Sequence, residues 1–226
     1  MQIRKTFDLN GPNIWANSRV LEAWVDLGHF EDLPTDKLAG FTERLMARLP
    51  SLIEHRCSIG ERGGFRQRLE TGTWLGHVLE HVTLELQSLT HVPVGWGRAR
   101  ETLERGVYKV VVKCEDARFA EHCMRAAREL ILTTVDDRPF DLDGELQRLR
   151  GLADQLCLGP STRAIVHAAA GVGQERTFQV DAEHARHALR ERARRRGDRR
   201  AHRLGIAADQ RREQPGRAEP AVRLRD

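Results

Sequence analysis

Gly106-Val107-Tyr108-Lys109-Val110-Val111-Val112-Lys113 decides the fold. Four valines and a tyrosine in eight residues are the types that suit a pleated, packed surface, so this stretch carries the strongest strand signal in the chain. Towards the N-terminus, Gln2–Leu9 alternates weakly and stops at Asn10-Gly11-Pro12-Asn13, a turn cluster, which predicts a strand and then a loop. A second strand is expected over Val20–Leu27, ending at Gly28. Thr35 or Asp36 is placed to cap a helix running through Leu38, Phe41, Leu45, Met46 and Leu49 to Pro50. Ser58–Gly64, with Gly60, Gly63 and Gly64, reads as a tight connection; the Lys-Ser/Thr ending of a phosphate-binding loop is missing. A short amphipathic piece follows at Phe65–Leu69, and Thr73 opens a longer helix, Trp74–Leu89, ending before Pro93. Beyond the valine-rich strand, helices are expected over Ala117–Thr134 and Leu142–Leu156, the latter capped by Asp141, and another is expected to begin in Ser161–Ala170. Strands interspersed with helices, with no βαβ period and no internal repeat, predict a compact α+β domain over residues 1–157.

Charge is unevenly distributed over the 226 residues. Residues 171–226 hold 15 arginines, no lysine and 9 acids, whereas residues 1–170 hold 22 basic and 24 acidic residues. The isoelectric point near 9.2 therefore belongs to the C-terminal stretch. From Ala182 onward, apolar residues are few, so that stretch is expected to be a solvated, disordered terminus. A nucleic-acid arm is the alternative, although no aromatics interleave the arginines to stack on bases. No run approaches the roughly 18–20 apolar residues of a membrane span, and Met1-Gln2-Ile3-Arg4-Lys5 leads into no signal-peptide core. Cys57, Cys114, Cys123 and Cys157 form no framework and read as reduced thiols of a cytoplasmic protein.

The helix Trp74–Leu89 carries His77-Val78-Leu79-Glu80-His81. At about 100° per residue, His77, His81 and Glu85 fall at about 0°, 40° and 80° on one edge, and Glu80 at about 300° beside them. Two imidazoles four residues apart share a face and can hold one metal ion, zinc above all, provided that a third protein ligand and an open position exist. Glu85 is the first candidate for that ligand, with His55 or Cys57 as alternatives, and Glu80 is placed to act as general base. This order of residues is the inverzincin order, His-x-x-Glu-His. The bland alternative is a helix whose histidines hydrogen-bond neighbours at the core boundary. His29, His91 and His122 have no partner spacing and are expected to be surface or satisfied core residues.

Several blocks, taken in order, resemble one family. Gly11-Pro12-Asn13-Ile14-Trp15, Leu52-Ile53-Glu54-His55-Arg56-Cys57-Ser58, Gly60-Glu61-Arg62-Gly63-Gly64-Phe65 and Gly72-Thr73-Trp74-Leu75-Gly76-His77-Val78-Leu79-Glu80-His81 look like the N-terminal domain of cyanophycin synthetase. Pro93-Val94-Gly95-Trp96-Gly97-Arg98, Gly106-Val107-Tyr108-Lys109-Val110-Val111 and Leu158-Gly159-Pro160-Ser161-Thr162 continue the likeness. The resemblance implies a cytoplasmic, homo-oligomeric ligase that uses ATP and magnesium to build a poly-aspartate chain with arginine on each side chain. Its ATP-grasp and Mur-ligase-like domains follow the N-terminal one, so neither nucleotide nor magnesium is expected to bind here. Leu158–Ala170 resembles the entry to the ATP-grasp domain. From Gly171 the likeness stops, and the composition there suits an out-of-frame reading of a GC-rich gene. The resemblance further implies a polymer-handling module and, in some members, a metallopeptidase-like centre that makes primers by cutting the polymer; His77, Glu80 and His81 match its motif. Glu61, Arg62, Arg98 and Arg100, with Glu104, are then candidates for contacting the zwitterionic polymer or its Asp/Arg units, with or without cleavage.

Overall fold

The valine-rich stretch forms β4, Val107–Lys113, inside a four-stranded antiparallel sheet. Its partners are β1 (Gln2–Leu9), β2 (Val20–Asp26) and β3 (Gly97–Glu101), in the order β1-β2-β4-β3. This computed structural model describes residues 1–159 with Ser161, Thr162 and Ile165. The rest of the helix expected from Ser161, and the arginine-rich stretch 171–226, lie outside the described residues. Alternate residues of the two inner strands, Leu21, Ala23 and Val25 with Tyr108, Val110 and Val112, enter the core.

Helices α1 (Phe41–Arg48), α2 (Gly64–Thr71), α3 (Leu75–Leu89), α4 (Ala117–Val135) and α5 (Leu142–Leu156) complete an α+β fold. From α3 come Leu75, Val78, Leu79, Val82 and Leu86, all 0% exposed, and α4 adds Phe119, Cys123, Met124, Leu130 and Ile131. Each such side chain contributes about 1.5–3 kcal/mol of transfer free energy. Gly76 permits the close approach of α3 to β4: a Cβ there would stand 3.2 Å from Tyr108 Cγ. Asp141 caps α5 by accepting from Gly144 N–H at 3.0 Å, as the sequence predicts, and Asp116 caps α4 through the Arg118 and Phe119 amides.

Two elements differ from expectation. The helix predicted from Thr35 to Leu49 is a 3-10 turn, Thr35–Lys37, followed by the shorter α1, because Gly40 adopts φ +67° and breaks the run. Strand β3 is absent from the sequence reading, since Gly97-Arg98-Ala99-Arg100-Glu101 has no β-branched or aromatic residue; its hairpin with β4 pairs Arg98 with Val111 and Arg100 with Lys109. All four cysteines are free. Among the described residues no helix is long and apolar enough to cross a membrane.

Candidate metal centre

Helix α3 is so deeply set that its polar residues are buried along with its apolar ones: Glu80 and His81 are 6% exposed and Glu85 5%. Buried polar groups need partners, and here they form one continuous chain. Cys57 Sγ lies 3.3 Å from His77 Nε2, which lies 3.1 Å from His81 Nε2. On its other side, His81 Nδ1 is 2.9 Å from His55 Nδ1, and His55 Nε2 is 2.7 Å from Glu85 Oε2. Ser51 donates its hydroxyl to the other Glu85 oxygen. Thr73 Oγ1 meets His77 Nδ1 at 3.0 Å, and Phe65 stacks on His81 at 4.1 Å between centroids.

The glycine loop sets this geometry. Gly63 N–H donates to Ile53 and Phe65 N–H to His55, so the segment carrying His55 and Cys57 is strapped to the start of α2. Gly64 admits no side chain, because a Cβ would fall 2.1 Å from the Arg56 carbonyl oxygen. The loop is thus a tight connection holding Phe65 against the histidines.

Burial drives the protonation states. It pushes His77 down to about 4, with help from the Arg68 charge, and His81 well below its ordinary value. Both are therefore neutral near pH 7, the state in which imidazole binds metal. Burial raises Glu85, but hydrogen bonds from His55 and Ser51 outweigh it and hold the carboxyl below its usual range. An ionised carboxylate only accepts, so His55 Nε2 carries a proton, and in the neutral ring its Nδ1 is bare. His55 Nδ1 then accepts from His81 Nδ1–H, leaving a bare lone pair on His81 Nε2 aimed at His77. In the His77 tautomer that donates Nδ1–H to Thr73 Oγ1, two imidazole lone pairs and the Cys57 sulfur converge.

Cys57, His77 and His81 offer ligand atoms all within 4.8 Å of one another, and no other such trio occurs among the described residues. A zinc ion bonded to nitrogen at about 2.0–2.1 Å and to thiolate at about 2.3 Å holds its donors about 3.3–3.6 Å apart. Two of the separations here, 3.1 Å between His77 and His81 and 3.3 Å between Cys57 and His77, are close to that, and the mixed nitrogen and sulfur set suits zinc. Glu85, first among the expected third ligands, stands behind His55 rather than beside the pair, whereas Cys57, an alternative, is beside it.

A groove of about 810 Å³ opens over the cluster, with His77, Glu80 and His81 on its floor. Glu80 leaves α3 on the flank facing β3, where Gly97 makes room for it, since a Cβ there would lie 2.7 Å from Glu80 Cγ. Burial lifts its carboxyl to about 7, against the opposing pull of the Ala99 amide and the charges of Arg98 and Arg100. Arg98 and Arg100 line the groove along β3. Glu61 and Arg62 sit in the glycine loop outside the lining, with Arg62 paired to Glu54 at 2.7 Å. Arg68 Nε is buried at the groove without a partner among the described residues. Ser51, Thr73, Phe65 and Arg68 escape the sequence reading, because none sits at a spacing that marks it.

The family described as "Cyanophycin synthase-like N-terminal domain" matches residues 22–136. Cyanophycin synthetase of Crocosphaera subtropica is 42% identical over 171 residues, 74% of this chain and 20% of its own length. The Synechocystis sp. protein of the same name shows the same identity and coverage, and that of Geminocystis herdmanii is 39% identical over 171 residues, again 74% of this chain and 20% of its own length. The chain spans about one fifth of the length of the curated relatives it matches.

Proposed function

The chain belongs to the cyanophycin synthase-like N-terminal domain family, and on that footing we propose that it is a polymer-handling domain that hydrolyses a cyanophycin-type Asp/Arg polymer in the groove over α3. Cys57, His77 and His81 would hold a zinc ion there. Zinc, when bound, supplies a Lewis acid and a water of lowered pKa.

The protein's own groups supply the rest. Glu85, through His55, orients His81 so that Nε2 faces the seat, the arrangement in which outer carboxylates fix the tautomer of a metal-binding histidine. Glu80, poised near neutrality, takes a proton from water and returns it to the departing amine, a role that requires a group able to hold and release a proton at working pH. Arg68, with a buried and unpartnered N–H, is placed to receive a substrate carboxylate. Arg98 and Arg100 along one wall and the Glu54–Arg62 pair near the other present both charge signs to a zwitterionic chain. ATP and magnesium have no part in this reading, which assigns polymer cleavage to the domain and not the synthetase step.

The observation that carries the proposal is the Cys57, His77 and His81 donor trio, with Glu85 and His55 hydrogen-bonded in line behind His81. Zinc content of the purified protein, measured beside release of short fragments from cyanophycin with and without chelator, tests it. About one zinc per chain and chelator-sensitive release support it. Release that chelator leaves unchanged, or no release by the zinc-loaded protein, overturns the hydrolytic part. The mixed charges of the groove walls favour one second reading, retention of the polymer without cleavage, shown by cyanophycin binding that survives His77→Ala.

A further inference from the structure

The sheet face turned away from the helices carries an ordered row of cations. Register places Lys5 opposite Trp24, Trp24 opposite Lys109, and Lys109 opposite Arg100, one residue from each of the four strands. The next row runs Phe7, Glu22, Val111 and Arg98. Paired residues of antiparallel strands share a face and neighbouring strands lie about 4.8 Å apart, so the first row crosses the sheet in about 14 Å.

The acids beside these rows are already engaged. Glu22 accepts from the Trp15 and Trp24 indole N–H groups at 2.6 and 2.8 Å and pairs with Lys109 at 3.3 Å. Asp26 is held by Arg4 at 2.7 Å. Among the described residues, Lys5, Arg98 and Arg100 have no carboxylate within ion-pair distance. The Lys5 ammonium stands 3.8 Å from the Trp24 ring centroid, and Lys109 stands 5.0 Å from the same ring. The Trp24 indole thus braces both lysines. Arg98 and Arg100 also line the groove over α3, so the face continues around edge strand β3 into that groove.

We propose that this outer sheet face is a docking surface for an extended acidic peptide chain, whose carboxylates pair with Lys5 and Arg100 on either side of the Glu22-bound Lys109. The charge complementarity is specific to such a chain. Carboxylates on one side of an extended peptide recur about every 6.6–7 Å, so two repeats match the about 14 Å from Lys5 to Arg100. The surface does not depend on the metal seat.

The lysines make the test clean. The chain has four, Lys5, Lys37, Lys109 and Lys113, and none lies in the arginine-rich stretch 171–226. N-acetyl-deca-aspartate, activated as a succinimidyl ester at its C-terminal carboxyl alone so that the side-chain carboxylates stay charged, is added to the full chain; it acylates lysine amines near which it docks, and peptide mass spectrometry reads each position. Lys37, on the 3-10 turn far along the chain, serves as the internal control. Acylation of Lys5 is expected to exceed that of Lys37, to fall to the Lys37 level in molar salt, and to drop about five-fold in Arg100→Glu, the worth of roughly one exposed ion pair. Equal labelling of Lys5 and Lys37, or labelling indifferent to Arg100→Glu, overturns the proposal. Displacement of deca-aspartate by deca-thymidylate at equal or lower concentration overturns the commitment to a carboxylate chain. Zinc content is a separate readout, and its loss in His77→Ala with Lys5 labelling intact separates this surface from the metal seat.

Discussion

His55 Nδ1 and His81 Nδ1 face each other at 2.9 Å, and only one of them can hold a proton there. The Glu85 carboxylate decides which. It claims the Nε2 proton of His55 at 2.7 Å, so when that ring is neutral the proton between the two rings belongs to His81, and His81 presents bare Nε2 to His77. Two residues that never touch the metal seat thereby set the state of one that does.

Glu85→Gln tests that control. The amide is nearly isosteric but can donate as well as accept, so the tautomer of His55 is no longer imposed. Zinc affinity is expected to fall about 10–100-fold. Competition against a chromophoric chelator measures it, and affinity equal to the parent's rules out tautomer control.

Gly97→Ala addresses Glu80 without touching it. The added methyl would sit 2.7 Å from Glu80 Cγ, so the carboxylate must leave its place beside β3. Cyanophycin cleavage is expected to drop toward that of Glu80→Gln, roughly 100-fold or more below the parent, while both variants retain zinc. Gly97→Ala at parental activity shows that Glu80 need not occupy this position.

Much of this was legible in the residues, and the limits have physical reasons. Periodicity over 15 residues marks α3 and places His77, Glu80 and His81 on it, because a helix converts spacing into a face. The choice among Glu85, His55 and Cys57 stayed open because His55 and Cys57 are brought to the helix by a glycine loop whose path no periodicity encodes. Strand β3 was illegible for a related reason: Arg98 and Arg100 have no strand preference of their own and are held extended by pairing with β4. The cation row could not be read at all, since it exists only once the registers of all four strands are fixed.

Phe65 has no polar atom, yet it is central to the site. It is 0% exposed and lies flat on His81 at 4.1 Å while meeting His77 edge-on at 5.8 Å. Phe65→Ala opens a cavity in the core and is expected to cost about 3–5 kcal/mol in a denaturant titration. Phe65→Leu, which keeps most of the volume, is expected to recover most of that stability but only part of the zinc affinity, because the flat support under the imidazole is gone. Equal recovery of both would make Phe65 a packing residue only.

Glu22 sets an acid limit on stability. Burial alone would raise its pKa, but the two indole N–H groups and the Lys109 ammonium overcome that and hold the folded carboxyl below its ordinary value of 4.5. A depressed folded pKa means that the stabilisation is complete above about 4.5, the unfolded value, and is lost as pH falls through the folded one. Glu22→Gln removes this dependence. Its amide oxygen accepts from one indole and the other buried N–H loses its carboxylate, so the variant is expected to be about 1–3 kcal/mol less stable at pH 7. Below pH 4 the gap should narrow, because the parent has lost its charged carboxylate while the amide does not titrate. Chemical denaturation at pH 7, 5 and 3.5 measures the gap; a difference that stays constant across the three would show that the Glu22 charge does not stabilise the sheet.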